Sequence, residues 1–159
     1  MRGIFLFVFI LLLTVGCGNK GHDRSAELKQ DWTFVDLEGK EVLLSSFQGQ
    51  RILVNYWATW CQPCIKEFPS LVKAEELLRE EGYVFLFPST DPLGTIEEFK
   101  DKTDMDLRFL QSKKPLTEMN IYALPATFVF NSKGELHERI DGATDWSSEQ
   151  MIAKLKQVP

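Results

Sequence analysis

The sequence predicts an α/β domain: a central mixed β-sheet flanked by helices on both faces and led by an N-terminal β-hairpin. Three observations predict it. Arg51 to Ala58 is a nearly continuous apolar run rich in β-formers, the pattern of a strand buried on both faces in mid-sheet. Beyond it, Ile65, Phe68, Leu71, Val72, Leu77 and Leu78 recur near helical spacing with charged residues between them. Two further pairs of short β-rich runs, one around Gly39 and one around Asn131 to Gly134, read as hairpins that add antiparallel strands.

The first hairpin pairs Trp32 to Leu37 with Glu41 to Leu44 across Glu38-Gly39-Lys40, and Phe47 to Gln50 closes it. After the strand ending at Ala58, a helix is expected from Cys61 to about Glu81, with Gly82 as its stop. Pro63 falls in the first turn, where a missing N–H costs nothing, whereas Pro69 lies inside the pattern and should kink it. Tyr83 to Phe87 is a second buried strand ended by Pro88, and Thr95 is the expected N-cap of a helix to about Lys102. Leu107 to Leu110 suggests a short strand and Pro115 to Asn120 a short helix. Ala126 to Phe130 and Glu135 to Ile140 form the second hairpin. Ser147 or Ser148 caps a final helix with Met151, Ile152, Leu155 and Val158 on one side.

The 159 residues, 44% apolar and 12% aromatic, suffice for one domain with a sizeable core. The net charge of -5 comes from 23 acids and 18 bases without a basic run, which argues against a nucleic-acid partner. The N-terminus reads as targeting rather than fold. Met1-Arg2 give a small positive region, Ile4 to Leu13 are apolar without a break, and Thr14-Val15-Gly16-Cys17 follow. A membrane span needs about 20 apolar residues, and polar residues begin here at Asn19. The small residues before Cys17 resemble the lipobox of bacterial lipoproteins, with Thr14 where that family usually has an aliphatic residue. The resemblance implies a signal peptide over residues 1–16 and lipidation of Cys17; the alternative is an ordinary cleaved signal that leaves Cys17 as an odd thiol. Residues 17–30 read as a flexible tether between membrane and domain, and residues 31–159 as the domain itself.

Chemistry concentrates at Cys61 and Cys64. Residues three apart in a helix's first turn share a face and lie close enough to form and open a disulfide with little backbone motion. Partial positive charge and free N–H groups at the helix start lower the pKa of the Cys61 thiol, making Cys61 the nucleophile and Cys64 the resolving residue. A purely structural disulfide over four residues closes too small a loop to stabilise much. A zinc site lacks ligands beyond His22 and His137, and two thiols could instead hold Cu(I) as a carrier.

Asn55-Tyr56-Trp57-Ala58-Thr59-Trp60-Cys61-Gln62-Pro63-Cys64-Ile65-Lys66-Glu67-Phe68-Pro69-Ser70-Leu71 resembles the signature of the thioredoxin superfamily, and within it the TlpA/ResA-like extracytoplasmic thiol-disulfide oxidoreductases. The likeness runs from about Asp31 to Val158 and implies a thioredoxin-like fold. It implies that Cys61 attacks a substrate disulfide and that a cis-proline, Pro125 in Tyr122-Ala123-Leu124-Pro125, directs the Leu124 backbone toward an extended substrate. It implies that Trp60 covers part of the pair. Asn55 stands where thioredoxin has a buried, titrating Asp, and Glu67 matches the acid that TlpA/ResA-like proteins carry on this helix, where it could take the proton of Cys64; the alternative is an exposed Glu67 paired with Lys66 or Lys73. Ala123 departs from the Gly common in relatives. The implied partners are proteins carrying disulfides or thiols, a membrane electron donor of thiol-disulfide type and the membrane itself, with no cofactor beyond the cysteine pair. The implied task is protein-disulfide reduction, with cytochrome c maturation as one substrate class. Thr59-Trp60-Cys61 also resembles the related peroxiredoxins, so a thiol peroxidase and a Cu(I) carrier stand as alternatives.

Overall fold

The computed structural model describes residues 32–103 and 105–159; the expected leader, tether and Cys17 lie outside the described residues. The strands are β1 (Thr33–Val35), β2 (Glu41–Leu43), β3 (Arg51–Tyr56), β4 (Tyr83–Ser89), β5 (Phe109–Ser112), β6 (Ala126–Phe130) and β7 (Leu136–Asp141). The helices are α1 (Gln62–Leu78), α2 (Leu93–Thr103) and α3 (Glu149–Lys156), with 3-10 turns at Leu44–Phe47, Arg79–Glu81 and Leu116–Met119. Among the described residues the strands form a seven-stranded sheet of order β2-β1-β5-β4-β3-β6-β7. It is mixed as expected: β4 runs parallel to both β3 and β5, and the two hairpins and the β1 and β6 contacts are antiparallel.

Among the described residues the three α-helices cover only one face. Side chains of all three helices, including Phe68, Leu71, Ile96 and Leu155, share one core cluster with Leu53, Phe85, Phe87 and Val129. The alternate residues Ile52, Val54, Leu86 and Phe128 point the other way, onto Trp32, Phe34, Leu44 and Ile121, with Leu116 and Met119 packed at the margin. The expectation fails for a topological reason. The crossovers from β3 to β4 and from β4 to β5 step in the same direction across the sheet, so right-handed connections put α1 and α2 on the same side.

Local boundaries follow the sequence with three corrections. α2 begins at Leu93, two residues before the expected cap at Thr95. The fifth strand lies at Phe109–Ser112, shifted two residues beyond the expected run. Pro88, expected to end β4, lies within it opposite Leu110, and its carbonyl accepts from the Trp57 N–H at 3.2 Å. With no N–H to give, Pro88 interrupts the β3–β4 ladder between the Val54–Leu86 pair and the isolated Trp57–Ser89 bridge, and the sheet continues past it. α1 runs unbroken through Pro69 and ends, as expected, before Gly82, whose φ of 71° places it in the left-handed region where glycine carries no steric penalty.

Aromatic rings anchor α1 from beneath. Phe68 meets Trp57 at 5.2 Å and Phe109 at 5.8 Å between ring centroids, at edge-on angles that favour such pairs. Tyr83 donates its hydroxyl to the Leu155 carbonyl at 2.7 Å, fixing α3 to the sheet. The N-terminal end of α1 is thereby held over the C-terminal end of β3.

Candidate active site

β3 delivers the site. Trp57 follows its last residue, is fully buried and donates its indole N–H to the Phe87 carbonyl at 3.0 Å. The chain then turns through Ala58, Thr59 and Trp60. This turn is held from β4's far end: Asp91 Oδ2 accepts the Thr59 N–H at 2.7 Å, while Gln111 donates to the Asp91 carbonyl at 3.0 Å. The Cys61 N–H closes the turn on the Ala58 carbonyl at 3.0 Å.

Cys61 is the N-cap of α1, one position before the first helical turn that its spacing suggested. Its sulfur accepts the Cys64 N–H at 3.3 Å, in the place where an oxygen usually caps a helix. A thiolate at Cys61 would therefore face free N–H groups and the positive end of the helix. Cys61 and Cys64 form a disulfide with their Cα atoms 5.3 Å apart. Cys64 is fully buried and Cys61 nearly so, whereas Trp60 beside them is 69% exposed. The residue next to the sulfurs is thus the one offered to a partner.

The Leu124–Pro125 peptide is cis. Ala126 pairs with Tyr56 at the end of the β3–β6 ladder, so Pro125 and Leu124 stand opposite the segment that leads into the cysteine turn. Leu124 is half-buried against both core clusters, and Tyr122, two residues earlier, is 80% exposed.

Glu67 is only 4% exposed, which overturns the alternative of a solvent-facing partner of Lys66 or Lys73. Asn55 Nδ2 donates to Glu67 Oε1 at 2.8 Å, and the Thr144 N–H and the Trp146 indole N–H donate to Oε2 at 3.0 and 3.1 Å. Asn55 Nδ2 also reaches Thr127 Oγ1 at 2.9 Å. Burial pushes the Glu67 carboxyl above its ordinary value, and the bonds from Asn55, Thr144 and Trp146 draw it partly back. Ser70, one turn further along α1, ties down the same loop by accepting the Trp146 N–H at 3.2 Å. Between α1 and this loop lies a cleft of about 490 Å³ lined by Lys66, Glu67, Ser70, Thr144 and Asp145.

The structure thus gathers Cys61, Cys64 and Glu67 on one helix end and sets Trp60, Leu124 and Pro125 around it. Thr127, Asp91, Thr144 and Trp146 were not found from the sequence. They act through contacts 32 to 79 residues away in the chain and carry no local motif. Among the described residues no group of three or more His, Cys, Asp or Glu converges as a metal site would, and no helix is long and apolar enough to cross a membrane.

Comparison with known proteins agrees with this geometry. Residues 25–139 match the sequence profile of the AhpC/TSA family. The thiol-disulfide oxidoreductase ResA of Geobacillus kaustophilus is 28% identical over 115 residues, which cover 70% of this chain and 66% of that protein. ResA of Bacillus cereus is 26% identical over 169 aligned residues, covering 99% and 96% of the two chains. The solved thioredoxin domain of a thiol-disulfide oxidoreductase from Bacteroides vulgatus superposes with a TM-score of 0.69 at 22% identity, over 79% of this chain and 93% of that one. The fold is thioredoxin-like.

Proposed function

The chain belongs to the AhpC/TSA family, and from that premise we propose that it is an extracytoplasmic thiol-disulfide oxidoreductase that reduces protein disulfides through Cys61 and Cys64. The observation that carries this reading is the division of labour at the head of α1: Cys61 caps the helix, while Cys64 is fully buried one turn from the buried Glu67. The Cys61 thiolate attacks a substrate disulfide, forming a mixed disulfide and releasing one substrate thiolate. Glu67 takes the proton of Cys64, whose thiolate then attacks the Cys61 sulfur. The second substrate thiolate leaves, and two electrons have passed from the dithiol to the substrate. Trp60, Leu124 and Pro125 supply the surface on which an extended substrate segment lies.

Return to the dithiol state requires a membrane electron donor of thiol-disulfide type. Relatives named thiol-disulfide oxidoreductase support dithiol–disulfide exchange as the chemistry, and reduction is the direction implied by the TlpA/ResA-like resemblance around Cys61. Cysteines of apocytochrome c are a substrate class consistent with that branch. Lipidation at Cys17 would hold the domain at the outer face of the membrane, and the intact mass of the mature protein reports it.

Turnover of a disulfide-bonded protein such as insulin tests the reading, with loss expected in Cys61→Ser. Peroxide consumption that survives Cys64→Ser would replace it with a thiol peroxidase. Tight Cu(I) binding without disulfide turnover would replace it with a metal carrier.

A further inference from the structure

The side-chain oxygen of Asn55 is buried and has no hydrogen-bond partner, although its nitrogen has two. An orphaned buried acceptor costs about 1–3 kcal/mol, and such groups concentrate where function requires them. Both bonds of the nitrogen go to groups that can change roles. Glu67 Oε1 accepts when the carboxyl is ionised and donates when it carries a proton, and the Thr127 hydroxyl does either. The other carboxyl oxygen is less free: the Thr144 and Trp146 N–H groups can only donate to it. A proton on Glu67 therefore belongs on Oε1, where it would meet the Asn55 amide nitrogen head-on.

We propose that Asn55 is a positioning residue that turns over with the protonation of Glu67: its nitrogen faces the carboxylate, and its oxygen faces the acid. Rotation by half a turn about Cβ–Cγ exchanges the two ends of the amide. The oxygen then accepts from both the Glu67 O–H and the Thr127 O–H while the nitrogen takes its unpartnered place, so the proton on Oε1, which Nδ2 cannot face, drives the exchange. This inference rests on the reading of Glu67 as the group that takes the Cys64 proton. In that step the proton leaves Cys64 Sγ for Glu67 Oε1, the negative charge passes to sulfur, and the amide follows. Neither Asn55 nor Thr127 ionises, so the switch adds no charge of its own. The ionisable groups around Glu67 are the cysteines of its own helix and Lys66 and Asp145 on the walls of the cleft.

The test uses the reduced protein. The Glu67 side-chain carboxyl is followed by ¹³C NMR and the Asn55 side-chain NH₂ by ¹⁵N NMR, the latter assigned by its absence in Asn55→Leu. The expected result is that both titrate with one midpoint, and that in Glu67→Gln, which mimics the acid, the Asn55 signals stay at their low-pH position throughout. An Asn55 NH₂ that stays fixed while Glu67 titrates overturns the switch and leaves the role of Glu67 standing. A Glu67 carboxyl that holds one protonation state throughout overturns both. If Asn55→Leu does not fold, Thr127→Val provides a second reading: with the shared hydroxyl lost, the Asn55 signals must shift at both ends of the titration, and unchanged end points contradict the arrangement.

Discussion

The indole N–H of Trp146 donates to Glu67 Oε2 at 3.1 Å, joining two buried residues 79 positions apart. Trp146 cannot reverse this bond: Oε2 accepts it in both protonation states, more strongly when the carboxyl is ionised. Trp146→Phe keeps the ring and removes the donor. A hydrogen bond to a charged group exceeds one to a neutral oxygen by about 1 kcal/mol, so the Glu67 titration should move to higher pH and Cys64 alkylation at a fixed pH should change roughly fivefold. An unmoved alkylation profile with normal stability would leave Trp146 a packing residue only.

Folding raises the Glu67 carboxyl above its ordinary value of 4.5, chiefly through burial. The folded state then holds the proton more tightly than the unfolded chain does. That contribution is complete in acid, below the unfolded value, and is lost as pH rises through the raised value. Glu67→Gln keeps a neutral group at the position and escapes the loss. Its stability relative to wild type, measured by urea denaturation at a series of pH values, should increase from acid toward neutral pH. A difference that is constant with pH would show that Glu67 titrates alike in both states.

Asp91 holds the turn before the cysteines through the Thr59 N–H at 2.7 Å. Asp91→Ala should cost about 1–3 kcal/mol by leaving that donor without its partner, and Asp91→Asn, which retains an acceptor oxygen, should recover most of it. Urea midpoints read the stability, and the rate at which reduced Cys61 reacts with a thiol reagent reads the geometry of the turn.

Phe68 fastens the active-site helix to the sheet from a fully buried position among Trp57, Phe87, Phe99 and Phe109. Phe68→Ala should lose about 3–5 kcal/mol, against less than about 0.5 for the exposed Glu76→Ala on the same helix. Equal losses would mean that α1 is not anchored by this contact.

The strands and helices were legible where period and composition agreed. β3, α1 and the β6–β7 hairpin are long or strongly patterned, and glycine or capping signals mark the end after α1 at Gly82 and the start of α3 at Ser148. The side of the sheet on which each helix lies is a matter of strand order and crossover hand, and no residue in α2 records it. Pro88 was misread because pairing on both sides of it, at Leu86 and Ser89, carries β4 through a residue that cannot donate. At the site, the cysteine pair and Pro125 stand out in the sequence and Glu67 sits at a fixed offset from Cys64. The groups that set its chemistry do not: Thr127 comes from another strand, and Thr144 and Trp146 from a loop without periodicity. Their value lies in bonds that only the folded chain makes.

The central claim is that Cys61 attacks and Cys64 resolves. Reduced Cys64→Ser protein, exposed to extracytoplasmic proteins carrying disulfides, should accumulate covalent mixed disulfides through Cys61 that are identified by mass spectrometry and released by dithiothreitol. Cys61→Ser should trap nothing under the same conditions. Adducts that form only when Cys61 is absent, and map to Cys64, would contradict the account.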